Sequence, residues 1–94
     1  MSVRVIHMRD YEPNTNHVII DRTTKWGNPF KLIDYNNDRG LVLKIFEEYF
    51  HSNKQLQQDA LNELSGKVLV CWCKPKKCHG DVYARFVNEN NLFS

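Results

Sequence analysis

The sequence predicts a small single-domain α/β sandwich over residues 1–94, with a partly parallel sheet and about three helices. Strand-like alternation occupies the first part of the chain, and helical spacing takes over after residue 38. A continuous apolar run then leads into a last helical segment, as in a strand that is covered on both faces. The length fits one domain, and we find no internal repeat or linker.

Two strands are predicted near the N-terminus. Residues 2–8 alternate between apolar and polar side chains, which is typical of a half-buried strand. Residues 10–16 combine Asp, Pro and Asn and predict a turn, and residues 17–21 predict a short second strand. Residues 22–30 lack periodicity, and the closely spaced Gly27 and Pro29 predict an extended, turned loop.

Two helices follow. Asp38 is a plausible N-cap, and a second helical stretch ends at Ser65-Gly66 in the manner of a glycine C-cap. The apolar residues at helical spacing are Leu41, Val42, Ile45, Phe46, Tyr49 and Phe50 in the first helix and Leu56, Ala60, Leu61 and Leu64 in the second.

The last strand and the last helix complete the prediction. Residues 67–73 contain a continuous apolar run and form the strongest strand of the chain. Asp81 can cap a final helix that extends to about Asn90. The residues expected on or near the buried side of this helix are Val82, Ala84, Phe86 and Val87.

Charge is distributed unevenly, although the formal net charge is only +2. From Lys67 onward five basic residues accompany two acidic ones, whereas the preceding part has a slight acidic excess. So small a net charge argues against a nonspecific coat on nucleic acid. No apolar run approaches the ~20 residues that cross a bilayer, and no signal peptide opens the chain. We therefore expect a cytoplasmic protein without a membrane or nucleic-acid partner.

The segment between the last strand and the last helix predicts an anion site. In open α/β sheets, ligands bind beyond the carboxyl ends of strands, beside the N-termini of the following helices. Gly80 would let the backbone approach a ligand, and nearby lysines add positive potential. The candidate ligand-binding residues are Lys74, Cys78, His79, Gly80 and Asp81. The alternative is a solvated lysine loop in which Asp81 only caps a helix.

All three cysteines lie in this segment, and their odd, clustered count does not suggest a disulfide framework. Cys71, Cys73, Cys78 and His79 offer the ligand types of a zinc site, but adjacent Cys78 and His79 would chelate one ion awkwardly. Zinc is therefore an alternative, and no cofactor is favoured. Cys78 is a minor candidate nucleophile, because a helix N-terminus and lysines lower a thiol pKa.

A second candidate constellation lies in residues 22–30. It combines a cation, hydroxyls, two aromatic rings and an amide, a set that could stack a base and bind a phosphate. The candidate ligand-binding residues are Arg22, Thr24, Trp26, Asn28 and Phe30. The alternative is that Trp26 and Phe30 only fill the edge of the sheet. Gly27 and Pro29 contribute no packing there, which favours a functional loop.

The two motifs together resemble those of a small domain-of-unknown-function family found in bacteria and their phages. The resemblance covers about residues 3–86. The chain departs from the family pattern before the tryptophan, where Thr23, Thr24 and Lys25 stand in place of a frequent Arg-Gly-Ser approach. The resemblance implies a compact α/β fold without a settled activity, and it favours a phage origin. It rests on Arg22, Trp26-Gly27-Asn28-Pro29-Phe30, Gly66-Lys67, Cys71-Trp72-Cys73, Pro75 and Cys78-His79-Gly80-Asp81.

These features lead to the hypothesis of a module that binds a nucleotide derivative. By analogy with small phage proteins that withhold a host molecule, the ligand would be an ADP-ribose-type or cyclic nucleotide immune signal, bound in the host cytoplasm. A homo-oligomer is one version of this hypothesis. In it, Arg22 and Lys74 to Lys77 contact phosphates, Trp26 or Phe30 stacks the base, and Asn28 and Asp81 form hydrogen bonds.

Two other classes of function stay open. An enzyme that cleaves or transfers a group on such a nucleotide would use Asp81, Asp21 or His79 as acid, base or nucleophile. The absence of a spaced carboxylate pair and of a complete triad disfavours this class. A zinc-stapled adaptor domain is the third class, and metal analysis would identify it.

Overall fold

The computed structural model describes residues 3–13, 16–73 and 76–91, without the side chain of Asn91. Short 3-10 helices occupy Met8–Asp10 and Leu32–Tyr35. The described strands and α-helices are β1 (Arg4–His7), β2 (His17–Ile19), α1 (Arg39–Ser52), α2 (Lys54–Glu63), β3 (Val68–Cys71) and α3 (His79–Asn91). The predicted α/β class with three helices is therefore confirmed.

The described sheet has β3 at its centre, between β1 and β2, and both pairings are parallel. Ile6 and Ile19 both lie opposite Val70, and the N–H of Ile20 extends the ladder by donating to the Val70 carbonyl at 3.0 Å. All four residues of β3 are buried, which its apolar run predicts. Because the strands run in the same direction, their carboxyl ends meet at one edge of the sheet.

The strands are shorter than their sequence patterns suggest, because local hydrogen bonds turn the chain. After β1, the His7 ring accepts from the Arg9 N–H at 3.0 Å and opens the first 3-10 helix. After β2, the Asp21 carboxylate accepts from the Thr23 N–H at 2.9 Å, an arrangement typical of Asx turns. The predicted turn over 10–16 includes residues 14 and 15, which lie outside the described residues.

Helix α1 begins at its predicted cap, and α2 begins at an asparagine cap that the sequence analysis did not name. Asp38 accepts from the Leu41 N–H at 3.0 Å, and Asn53, which separates the two helices, accepts from the Leu56 N–H at the same distance. The buried stripe of α1 is narrower than expected, since Leu41 is 42% exposed and Tyr49 36% exposed. The buried residues of the two helices are Val42, Phe46, Phe50, Leu56 and Ala60.

Helix α3 begins at His79, two residues before the predicted capping residue. The cap prediction for Asp81 is therefore corrected: Asp81 lies inside the first turn, and its carboxylate reaches back to accept from the Cys78 N–H at 3.1 Å. Tyr83, which the sequence did not single out, is fully buried at the centre of the core. Its ring lies 5.5 Å from that of Phe46 and 5.3 Å from that of Phe50.

The 3-10 helix Leu32–Tyr35 has no periodic signal in the sequence. It ends at Asn36, which adopts the left-handed conformation with φ of 56°, and the next residue, Asn37, has φ of 57°. Asparagine tolerates this backbone region better than most residues. In the part of the chain that the structure describes, none of the helices combines the length and the apolar character that crossing a bilayer requires.

Candidate functional site

A cavity of about 200 Å³ opens at the sheet edge where β2 and β3 end. Asp21 and Arg22 reach it from the end of β2, whereas Trp72 and Cys73 reach it from the end of β3. Arg39, at the start of α1, lies on a third side. This is the position at which open parallel sheets bind ligands.

Three residues of the first motif line this cavity: Arg22, Asn28 and Phe30. The Arg22 Nε donates to the Asn28 carbonyl at 3.2 Å, and its Nη2 donates to the Phe30 carbonyl at 3.5 Å. The Asn28 side-chain oxygen accepts from the Phe30 N–H at 2.9 Å. These bonds hold the loop closed around the guanidinium and position Phe30 as a wall of the cavity.

Trp26 and Thr24 lie elsewhere and do not line the cavity. Trp26 is 4% exposed, and its ring meets that of Tyr83 edge-on at 5.5 Å. The Thr24 hydroxyl donates to the Ile19 carbonyl at 2.9 Å. The expectation that Trp26 stacks on a ligand is therefore corrected, because its ring is part of the hydrophobic core. For Trp26, the alternative that the ring only fills the edge of the sheet describes the structure better.

Gly27 accounts for the tight return of this loop. A β-carbon at this position would lie 2.6 Å from both the Asp21 carbonyl oxygen and the Arg22 Cα. These are backbone atoms, so no side-chain rotation could relieve the clash. The loop can fold back on its own beginning only because residue 27 has no side chain.

The second motif divides between the cavity and the core. Cys78 and His79 line the cavity, whereas Gly80 and Asp81 do not. A β-carbon on Gly80 would lie 2.6 Å from the Ile20 Cδ1 and 3.2 Å from the Val5 Cγ1. Gly80 thus permits close packing of α3 on the sheet, which corrects the expectation that it lets a ligand approach.

The remaining predicted site residue, Lys74, lies outside the described residues. Its neighbour Lys77 lines the cavity and is exposed. The described part of the basic loop therefore supplies one cation to the cavity.

Sequence reasoning missed three aliphatic residues of the cavity, Leu32, Val42 and Leu43, and two residues that bear on its chemistry, Trp72 and Arg39. Trp72, between two cysteines, is 62% exposed, and its Nε1 donates to the Asp21 carboxylate at 3.3 Å. Arg39 comes from the first turn of α1, far from both motifs in sequence. In an extended chain Trp72 points to the opposite face from Cys71 and Cys73, which is a weak signal for a different environment. Nothing local to Arg39 points to this cavity.

Hydrogen bonds and burial determine the charges of Asp21 and His79 in the cavity. The side-chain bond from Thr23, with further bonds from the Thr23 backbone and from Trp72, holds the pKa of Asp21 below its usual value, so this carboxylate is ionised. Burial lowers the pKa of His79, which is therefore neutral at pH 7. Its Nε2 donates to the Ile20 carbonyl at 2.7 Å. Among the described lining residues, three cations, Arg22, Arg39 and Lys77, share the cavity with one aspartate.

All three cysteines are free thiols. The expectation of a lowered pKa is wrong for Cys78, because hydrogen bonding to Cys71 and Cys73, together with burial, raises it. Within the described ranges, no group of three or more His, Cys, Asp or Glu side chains is arranged to hold a metal ion. Zinc at Cys71, Cys73, Cys78 and His79 stays the unfavoured alternative that metal analysis would test.

Comparison with known proteins adds a family and a phage relative. Over 75 residues, which cover 77% of this chain and 68% of the relative, the chain is 35% identical to the "Uncharacterized 12.4 kDa protein in nrdA-td intergenic region" of Enterobacteria phage T4. No solved structure gives a significant match. Residues 3–89 match the family described as "Domain of unknown function (DUF4326)". The chain is thus a small domain with a phage-encoded relative, and it belongs to the DUF4326 family.

Proposed function

We propose that the cavity binds an anionic small molecule with an aromatic ring, of the nucleotide-derivative class. The observation that carries this proposal is the meeting of three cations and two aromatic rings in one cavity. The cations are contributed by three separate segments of the chain. A convergence of charge and aromatic surface is typical of sites for phosphorylated aromatic ligands.

Phosphate binding would fall to Arg22, Arg39 and Lys77. Two N–H groups of Arg22 are engaged by loop carbonyls, and a guanidinium has five, so donors are left for an anion. Arg39 and Lys77 add charge from other sides of the same cavity. Arginine binds phosphate with two parallel hydrogen bonds, which gives orientation as well as affinity.

Ring stacking would fall to Trp72 and Phe30, in place of Trp26. Trp72 is the more accessible of the two, with 62% of its surface exposed. Phe30 is held edge-on against Tyr49 at 5.6 Å and against Tyr35 at 6.4 Å, so its position is well supported. Asn28 and Asp21 offer a side-chain amide and a carboxylate for hydrogen bonds to a sugar or a base.

The volume of the cavity limits how a ligand can sit. At about 200 Å³ the cavity is smaller than the roughly 300–1,000 Å³ of pockets that enclose drug-sized molecules. It can therefore hold one part of a nucleotide derivative, such as a base or a phosphorylated ribose. The rest of the ligand would lie across the mouth, where Trp72 and Lys77 are exposed.

Thermal unfolding with a ligand series tests this proposal. AMP, ADP, cyclic AMP and ADP-ribose are compared with adenosine, which has no phosphate. We expect a bound nucleotide at about 100 times its Kd to stabilise the protein by about 2.7 kcal/mol. Trp72→Ala and Lys77→Ala should weaken this effect. Arg85→Gln is the matched control, because Arg85 pairs with Glu47 outside the cavity.

Two results would overturn the proposal. One is the absence of any stabilisation across the whole nucleotide series. The other is stabilisation that Trp72→Ala, Lys77→Ala and Arg85→Gln leave equally intact, because the ligand would then bind outside this cavity.

An enzyme acting on the same ligand class is the second candidate. It is favoured by the position of Asp21, whose ionised carboxylate lines the cavity together with the neutral His79 ring. Asp81 is less suited to this role, because it does not line the cavity and binds the Cys78 amide. Chromatography of ligand recovered after denaturation separates the two candidates, since a binder returns its ligand unchanged and an enzyme releases products.

The setting of this activity is also part of the proposal. The T4 relative supports a phage setting and nothing finer. That the protein withholds a nucleotide immune signal in the host cytoplasm is our proposal, and it depends on the outcome of the ligand series. Light scattering with and without nucleotide would test whether a homo-oligomer carries out this binding. The zinc-stapled adaptor is tested by metal analysis of the same sample.

A further inference from the structure

Asp21 is an acidic side chain among the cations of the cavity. Its carboxylate lines the cavity together with three cations, Arg22, Arg39 and Lys77. A negative charge at this position repels a phosphate, so phosphate binding alone does not account for it. A carboxylate is, however, a strong acceptor for a group that donates a hydrogen bond.

The two oxygens of this carboxylate are engaged unequally. Oδ1 accepts from the Thr23 N–H at 2.9 Å and also from the Thr23 hydroxyl. Among the described residues, Oδ2 accepts only from the Trp72 Nε1, at 3.3 Å. Because a carboxylate oxygen offers about two acceptor sites, Oδ1 is filled and one site is left on Oδ2.

The group that completes Oδ2 must be a donor. The Asp21 carboxylate is ionised and can only accept, and the Thr23 bonds hold it in place at the end of β2. An ionised phosphate has no proton to donate. The donors of a nucleotide are the N–H groups of its base and the hydroxyls of its ribose.

The position of this oxygen relative to Trp72 favours a ribose hydroxyl over a base. An indole N–H lies in the plane of its ring, so the Oδ2 atom that accepts from it lies beside the ring edge, close to that plane. A base stacked on the face of Trp72 lies one ring thickness above this plane, and its N–H donors lie in its own plane. The ribose is turned out of the base plane, so a hydroxyl can reach the level of the carboxylate.

The order of the neighbouring groups also matches a nucleotide. Asp21 is hydrogen-bonded to Trp72 on one side and is followed in the chain by Arg22, a proposed phosphate ligand. In a nucleotide the ribose joins the base to the phosphate. A residue between the stacking ring and the cation is therefore placed to contact the ribose.

We propose that the Oδ2 atom of Asp21 accepts a hydrogen bond from one ribose hydroxyl, so that the cavity selects a nucleotide with an intact ribose. This inference rests on the proposed function, because it assigns the sugar-binding residue of the same cavity. A site that binds a hydroxyl rejects the analogue that lacks it, since its acceptor is then left without a partner. One acceptor site on Oδ2 accommodates one of the two hydroxyls.

Titration calorimetry of the full-length protein tests this inference with three probes, ADP, 2′-deoxy-ADP and 3′-deoxy-ADP. We expect one of the two deoxy analogues to bind about tenfold more weakly than ADP, as for a hydrogen bond to a charged group in a partly exposed position. The other analogue should bind like ADP. This comparison uses only the wild-type protein, so it does not depend on the folding of a variant.

Three variants assign the preference to Asp21. In Asp21→Ala, ADP and the weaker analogue should bind alike. A loosened turn or a displaced Trp72 would affect both ligands equally and would leave their difference in place. Trp72→Phe removes the N–H but keeps a ring and the carboxylate, so it should weaken all three nucleotides while the difference stays. Arg85→Gln, outside the cavity, should change neither.

The outcomes separate this inference from nucleotide binding itself. Equal affinity of the wild type for all three probes would overturn the ribose contact and leave nucleotide binding standing. A preference that persists in Asp21→Ala would place the contact on another residue, and a similar loss with both deoxy analogues would contradict the single site on Oδ2. Absence of binding by every nucleotide would overturn both proposals.

Discussion

The side chain of Asn88 makes two hydrogen bonds with the backbone of Val3, although 85 positions separate the two residues. Its oxygen accepts from the Val3 N–H at 2.7 Å, and its amide nitrogen donates to the Val3 carbonyl at 3.0 Å. The pair ties the last turns of α3 to the residue that precedes β1. A polar side chain thus joins the two ends of the described chain at the edge of the core.

Asn88→Ala should therefore destabilise the fold. Both backbone groups of Val3 would lose their partner in a partly buried position, at a cost of about 1–3 kcal/mol. Urea unfolding measures this difference. The matched control is Asn90→Ala, which removes an exposed bond to the Phe86 carbonyl and should cost less than about 0.5 kcal/mol. Equal effects of the two variants would contradict the assigned role of Asn88.

Gly27→Ala should destabilise the protein and disturb the cavity together. The new β-carbon would meet backbone atoms of Asp21 and Arg22 at 2.6 Å, so the loop must open at a cost of about 1–3 kcal/mol. Gly40→Ala is the control. Its β-carbon would meet only the Asp38 side chain at 3.5 Å, and alanine favours the helix by up to about 1 kcal/mol. Thermal unfolding measures both variants. The melting temperature should fall for Gly27→Ala, and it should rise or stay unchanged for Gly40→Ala.

Tyr83→Phe tests the polar contact at the centre of the core. The Tyr83 hydroxyl donates to the Trp26 carbonyl at 3.1 Å, and the residue is fully buried. Loss of this bond should lower the free energy of unfolding by about 0.5–1.5 kcal/mol while the ring packing is kept. Tyr49→Phe removes an exposed hydroxyl that accepts a long bond of 3.4 Å, so it should have little effect. Comparable losses in the two variants would argue against a contribution from the buried bond.

Stability should fall as the pH decreases below about 6.5, because His79 is buried in its neutral form. Burial is the largest influence on the pKa of His79, and it makes this pKa lower in the folded protein than in the unfolded chain. At a pH between the folded-state and unfolded-state values, the unfolded chain therefore binds the proton more readily. Protonation therefore favours unfolding, with a slope of up to about 1.4 kcal/mol per pH unit. The stability that His79 contributes is present above the unfolded-state pKa and is lost as the pH falls through the folded-state pKa.

Urea unfolding of the wild type and of His79→Gln at pH 7.5, 6.5 and 5.5 measures this contribution. The glutamine amide can still donate to the Ile20 carbonyl but does not titrate, so the variant should have the flatter pH profile. His51→Gln is the control, because His51 is exposed on α1. A His79→Gln profile as steep as that of the wild type would contradict the prediction.

Local patterns in the sequence were sufficient for the fold class and for the order of the strands and α-helices. The run from Val68 to Cys71 is apolar at every position, so it predicts a strand covered on both faces wherever its neighbours lie. Asp38 and Asn53 begin their helices through bonds to amides three residues away, which depend only on nearby residues. Both motifs contribute to one cavity because parallel strands end at the same edge, a consequence of the predicted class.

The roles of individual side chains in the site depended on the tertiary structure. The two tryptophans have the same chemistry, but Trp26 packs against Tyr83 and Trp72 is exposed, because the elements around each ring determine its burial. Arg39 joins the cavity only because α1 begins at that edge. The thiols differ for the same reason. Cys71 and Cys78 are buried in contact with each other, whereas Cys73 is partly exposed, a difference that residue order does not reveal.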